Sequence, residues 1–169
     1  MSATYKPALI ATAGVPWSNL NNAWDESDDT FSEGIITSHE VLTGSLTIGD
    51  WSPSLGITPQ GFNLRVKYRF TFDMTIPRPN DMTAKIEFSI DSGGSWTTLA
   101  SHTGISGQLT VIDSSAFVEV HGFNPAVVRL RASGTNNQTT STLNNIDIKI
   151  FTMTAEADTH IGSSMMGFM

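Results

Sequence analysis

The chain contains no cysteine, so disulfides and thiolate metal sites take no part in holding or equipping it. Charge is scarce too: charged residues make up 15% of the 169 positions and sum to −7. A general nucleic-acid binder gains affinity by releasing counterions through clustered Lys and Arg, and this acidic balance does not supply them. No apolar run approaches the roughly 20 residues of a membrane span. The opening Met1-Ser-Ala-Thr-Tyr-Lys lacks the basic segment and apolar run of a secretory leader. These absences set three expectations: no nucleic acid, no membrane, and synthesis in the cytoplasm. Helix start and stop signals are also missing, and no segment repeats.

What the chain does have is alternation. From Phe62 to Ile76, Phe62, Leu64, Val66, Tyr68, Phe70, Phe72, Met74 and Ile76 fall on one side, with Asn63, Arg65, Lys67, Arg69, Thr71, Asp73 and Thr75 on the other. Successive side chains on a strand point to opposite faces, so only an extended strand sorts these residues into a dry and a wet surface. At about 3.3 Å per residue the run would reach roughly 50 Å unbent. Such length predicts a bend, or a strand passing between two sheets.

Shorter signals surround it. Residues 5–13 read as an edge strand with Pro7 near its start, and 14–34 as a polar loop holding Trp17 and Trp24. Strand character returns at 39–48, and again at 84–90 with Ala84, Ile86, Phe88 and Ile90 inward. The turn Asp91-Ser-Gly-Gly-Ser leads back to Trp96-Thr-Thr-Leu-Ala, a hairpin signal. Further strands are predicted at 105–112, 115–121, 126–132 and 143–153, with Asp113-Ser-Ser read as a break. About eight strands at this spacing predict an all-β antiparallel sandwich in a single domain. Its expected limits are 14–153, between an N-terminal segment at 1–13 and a flexible C-terminal tail at 154–169.

The stretch Trp17-Ser-Asn-Leu-Asn-Asn-Ala-Trp-Asp-Glu-Ser-Asp-Asp-Thr-Phe, through Trp17, Asn19, Asn22, Ala23, Asp29 and Phe31, resembles a pattern in structural proteins of tailed-phage virions. Ile57-Thr-Pro-Gln-Gly61 before the long strand is similar to a second part of that pattern. Arg129-Leu-Arg-Ala-Ser-Gly-Thr and Ile146-Asp-Ile-Lys-Ile look like its paired closing strands. The resemblance spans most of 15–153 and implies a jelly roll with no enzymatic activity and no cofactor. It further implies a virion location as a head-decoration or cement protein binding the major capsid protein. A homo-oligomer is expected, the trimer being the form that threefold lattice sites suggest. The alternative expectation is a carbohydrate-binding or adhesive jelly roll of a tail or fibre, with Trp17, Trp24, Trp51 and Trp96 offering flat rings for a glycan.

Other residues carry two readings each. Arg65, Lys67 and Arg69 form a basic stripe that Arg129, Arg131 and Lys149 would extend if their strands lay alongside; it is either a solvated face or a docking surface for an acidic partner. Met165, Met166, Phe168 and Met169 form either an arm that inserts into a partner or a frayed end. Asp25, Glu26, Asp28 and Asp29 offer hard oxygens for calcium, but without EF-hand spacing the expectation is a solvated acidic loop and no metal. Ser89-Ile-Asp-Ser-Gly-Gly-Ser-Trp96 resembles the Asp-box hairpin of sialidase propellers, a structural motif; here Asp91 is expected to bond turn amides and Trp96 to fold over the turn. Glu87 and Glu119 are expected on solvated strand faces. His39, His102, His121 and His160 have no metal-site spacing, and no serine nucleophile elbow occurs.

Overall fold

The computed structural model describes residues 5–37, 43–53, 61–74, 82–121, 125–137 and 144–157. Among these, ten strands form two five-stranded antiparallel sheets. They are β1 (Tyr5–Ala13), β2 (Trp17–Ser18), β3 (Ser32–Thr37), β4 (Thr43–Pro53), β5 (Gly61–Asp73), β6 (Met82–Ser89), β7 (Thr97–Thr103), β8 (Leu109–His121), β9 (Arg129–Asn136) and β10 (Asn145–Ala157). The first sheet has the order β1-β4-β9-β6-β7 and the second β2-β3-β10-β5-β8. Without β1 and β2, the eight strands β3 to β10 follow a jelly-roll path, β4-β9-β6-β7 facing β3-β10-β5-β8. The two added strands lie at sheet edges and account for the difference from the expected eight.

The alternation of β5 builds the interior. Leu64, Val66, Tyr68, Phe70 and Phe72 are buried, whereas Arg65 is exposed and Lys67, Arg69 and Thr71 are half-buried. Leu46, Ile48, Ile86 and Leu130 come from the first sheet to meet them. Tyr68 carries its hydroxyl across the core to within 2.8 Å of His102 Nε2 on β7, tying the two layers by a polar contact. Burial removes solvation from the phenolate and pushes the Tyr68 pKa up.

The long strand neither bends between sheets nor changes partner. β5 pairs with β8 along its whole length and with β10 on its other side, where a bulge between Ile150 and Thr152 absorbs the strain of a long twisted ladder. Four more expectations are corrected. Asp113-Ser-Ser does not break the chain; β8 runs straight through it, with Asp113, Ser114 and Ser115 opposite Arg69, Tyr68 and Lys67. The 14–34 loop contains β2, the 3-10 turn Leu20–Ala23 and the start of β3. The two closing strands are not paired with each other: β9 lies between β4 and β6, and β10 between β3 and β5. β10 also continues past 153 to Ala157.

The energetic weight sits on the inward face. Replacing Phe70, which is fully buried, with Ala should lower the unfolding free energy by about 3–5 kcal/mol. Replacing Arg65, whose side chain is 55% exposed in its ion pair, should cost less than about 1 kcal/mol. Urea denaturation of both variants checks this, and equal losses would contradict the assignment of faces.

Candidate functional site

The outward face of the first sheet carries hydroxyl groups in register. Thr43, Thr135, Thr83 and Thr103 form one row across β4, β9, β6 and β7; Ser45, Ser133, Lys85 and Ser101 form the next. A third row runs Thr47, Arg131, Glu87 and Thr98. Their inward neighbours Leu46, Ala132, Ala84 and Ile86 are buried, so the strand period alone turns these polar side chains outward. Together Thr43, Ser45, Thr83, Lys85, Glu87, Arg131, Ser133 and Thr135 line an open groove of about 220 Å³. The hydroxyls of Thr43 and Thr135 lie 3.4 Å apart.

An ion pair stands at one end of this groove. Arg131 donates from Nε and Nη2 to Glu87 Oε2, each at 2.8 Å, and Ser133 Oγ donates to the same oxygen at 3.2 Å. Three donors converge on Oε2, and Oε1 remains as an acceptor. Glu87 is 7% exposed rather than solvated; a carboxylate can be buried there because these donors replace its water. The Arg131 guanidinium lies 3.9 Å from the centre of the Trp96 ring, close enough for a cation–π contact. Trp96 therefore supports Arg131 on one face.

The Asp91 hairpin sets Trp96 in place. Asp91 Oδ1 accepts from the Ser95 amide at 2.8 Å and from Ser89 Oγ at 2.7 Å, and Oδ2 accepts from Ser95 Oγ at 2.7 Å. Ser89 Oγ in turn accepts from the Gly93 amide at 2.9 Å. Gly93 has φ +90° at the turn, a conformation that favours glycine. The side-chain hydrogen bonds from Ser95 and Ser89 and the bond from the Ser95 amide hold the Asp91 pKa down at about 2. Asp91 is thus committed to the turn, as the Asp-box resemblance implies.

The remaining sequence candidates fall elsewhere. Trp51 is 2% exposed and Trp17 is also buried, while Trp24 packs against the core half-buried. Trp17 and Trp51 plug the interior and present no flat face to a glycan, which corrects that part of the sequence expectation. Arg65 lies 3.9 Å from Glu156, Lys67 2.9 Å from Asp28 and Arg69 2.6 Å from Asp113. Each cation of the stripe meets an acid, so the face is largely neutralised. Lys149 extends it on β10, spanning Glu33 at 3.4 Å and Asp147 at 3.5 Å; burial, reinforced by the Glu33 charge, pushes the Asp147 pKa up to about 6.

Arg129 and Arg131 do not continue the stripe, because β9 belongs to the other sheet. Arg129 is buried over Gly49, where an added Cβ would come 2.2 Å from Arg129 Cδ, and it donates to the carbonyls of Ala126 and Val128. In the acidic loop, Asp25 accepts from the Ser27 amide at 2.9 Å and from the Thr30 hydroxyl at 2.5 Å, the hydroxyl chief among the contacts that lower its pKa. Asp28 faces Lys67. Among the described residues, no three His, Cys, Asp or Glu side chains group as a metal site. Glu119 is exposed and pairs with His121 at 3.1 Å. Met165, Met166, Phe168 and Met169 lie outside the described residues, as do His39 and His160.

No protein-family model matches the chain, and no curated protein matches it closely enough to count as a relative. Among solved structures, one that it is similar to is a family 32 carbohydrate-binding module from a family 31 glycoside hydrolase of Clostridium perfringens. That match has a TM-score of 0.46 and 16% identity and covers 90% of this chain and 92% of that one. The cleaved adhesin domain of Lys-gingipain from Porphyromonas gingivalis gives 0.41 and 16%, covering 94% and 98%. A Clostridium thermocellum xylanase 10B structure of CBM22-1 and GH10 modules with xylohexaose gives 0.39 and 12%, covering 96% of this chain and 30% of that one. Likeness this distant carries no argument about what this chain binds.

The Asp91 network makes a pH prediction. The folded carboxyl sits at about 2, below its ordinary 3.8, so the stability it brings is present above 3.8 and is lost as pH falls toward 2. Asp91→Asn should lower Tm at neutral pH and lose less Tm than wild type on acidification through that window. Thermal melts read by circular dichroism check both effects; two parallel pH profiles would contradict the role given to this carboxylate.

Proposed function

We propose that the chain is a non-enzymatic carbohydrate-binding or adhesive jelly-roll module, and that its ligand lies across the outer face of the first sheet. The proposal rests on the groove itself, with its hydroxyl rows and the Glu87–Arg131–Ser133 cluster. A saccharide presents many hydroxyls, each both donor and acceptor, at spacings of a few ångströms. Ser and Thr hydroxyls rotate to serve either role, Arg131 is a fixed donor and Glu87 Oε1 a fixed acceptor. Such a site combines adaptable and oriented partners, as polyol recognition requires. Its volume of about 220 Å³ is below that of a drug-sized pocket and suits one or two sugar rings lying in an open channel.

The groove's carboxylate also bears on catalysis. Hydrolysis of a glycoside calls for two carboxyl groups flanking the bond. Among the described residues Glu87 is the only acid lining the groove, and Asp91 is occupied by its turn. That supports binding without turnover. Docking on a capsid shell gains no comparable support among the described residues: its basic stripe is ion-paired and its methionine tail lies outside them.

Isothermal titration against a panel of neutral and acidic oligosaccharides tests the proposal. At least one should bind, and Ser45→Tyr, which puts a bulky ring into the groove and leaves Glu87 and Arg131 themselves unsubstituted, should weaken it about tenfold or more. Phe117→Ala, on the outer face of the other sheet, should leave that affinity unchanged. Silence across the panel, or loss only in the Phe117 variant, would overturn the groove as the site.

A further inference from the structure

Among the described residues, the groove contains one cation without an acid. Seven Lys and Arg side chains are described, and Arg65, Lys67, Arg69, Arg129, Arg131 and Lys149 all have a carboxylate within ion-pairing distance. Lys85 has none. It projects from β6 into the middle row of the groove, half-buried, between Ser133 of β9 and Ser101 of β7. The groove's one acid, Glu87, is two residues along the same strand, and its Oε2 already takes two Arg131 N–H groups and Ser133 Oγ.

The charge count then favours one kind of ligand. The chain as a whole is −7, yet among the described residues that line the groove, Lys85 and Arg131 against Glu87 leave a net positive charge. Every other described cation is neutralised locally, so a lysine flanked in its own row by serine hydroxyls is the place where an anion from outside gains most. We infer that the groove selects acidic saccharides and that Lys85 pairs with the carboxylate or sulfate of the sugar. This rests on the groove being a saccharide site, and it adds the class of sugar. Hydroxyls alone bind neutral and acidic rings about equally. The lysine adds an ion pair, charged on both donor and acceptor, that only the acidic ring can make.

The test compares a galacturonate trisaccharide, a sulfated disaccharide and a neutral galactose trisaccharide on wild type, Lys85→Gln and Lys85→Arg by isothermal titration. Wild type should prefer an acidic ligand over the neutral one by about tenfold or more, the size of one charged hydrogen bond. Whether the uronate or the sulfated sugar shows the preference identifies the anion. Raising the salt from low to high concentration should shrink the preference. Lys85→Gln should abolish it while leaving neutral binding in place, and Lys85→Arg should retain most of it. Equal binding of acidic and neutral sugars by wild type, unchanged in Lys85→Gln, would overturn the inference and leave the groove standing. No binding of any saccharide would remove both.

Discussion

Side-chain alternation along paired strands is the constraint on which everything else in this molecule depends. Leu64, Val66, Tyr68, Phe70 and Phe72 can be buried together only if Arg65, Lys67, Arg69 and Thr71 point away. A slip of one residue in any ladder would exchange the faces, exposing the core and burying the charges. The same rule acts on the opposite sheet. Because Leu46, Ile48, Ala132, Ala84 and Ile86 must face inward, Ser45, Thr47, Ser133, Lys85 and Glu87 are carried outward into neighbouring rows. The groove is therefore a by-product of the core's register, with each polar side chain held by the burial of its neighbours.

Electrostatics separates the two outer faces. On the second sheet, cations and acids are interleaved: Arg69 with Asp113, Lys67 with Asp28, and Lys149 with Glu33 and Asp147. The exposed Arg69–Asp113 and Lys67–Asp28 pairs contribute little to stability, and the interleaved signs leave no strong field. On the first sheet, where Arg129 also pairs with Asp50, the Arg131–Glu87 pair is drawn into the surface and braced by Trp96. That pair is held rigidly enough to orient a ligand, while the hydroxyls around it remain adaptable. Rigidity at one end and adaptability along the floor suit a site that reads polyol chains.

Much of the fold was legible in the sequence, because period-two patterning is a local property. The alternation from Phe62 marked β5, and Asp91-Ser-Gly-Gly-Ser marked the hairpin with its bonding scheme. The turn composition of Asp113-Ser-Ser predicts two strands where β8 is one; the ladder to Arg69, Tyr68 and Lys67 overrides that composition. β3 hides in a polar stretch because two of its three inward positions are Ser32 and Gly34, leaving Ile36 as its one inward apolar side chain. The site was less legible still. That Thr43, Ser45 and Thr47 alternate with apolar residues can be read off the chain, but that they lie beside Ser133 and Lys85 is fixed only by the order β4-β9-β6. The tryptophans show the same limit: Trp51 and Trp96 look alike in sequence, and only tertiary packing buries one and sets the other under Arg131.

The measurement closest to the central claim is backbone amide NMR of the labelled protein titrated with a saccharide that it binds. Shifts concentrated at Ser45, Lys85, Arg131 and Ser133, with the amides of Ser115, Ala116 and Phe117 unmoved, are the expected result. Shifts gathered on the second sheet around Phe117, with the first sheet silent, would contradict a groove built on β4, β9 and β6.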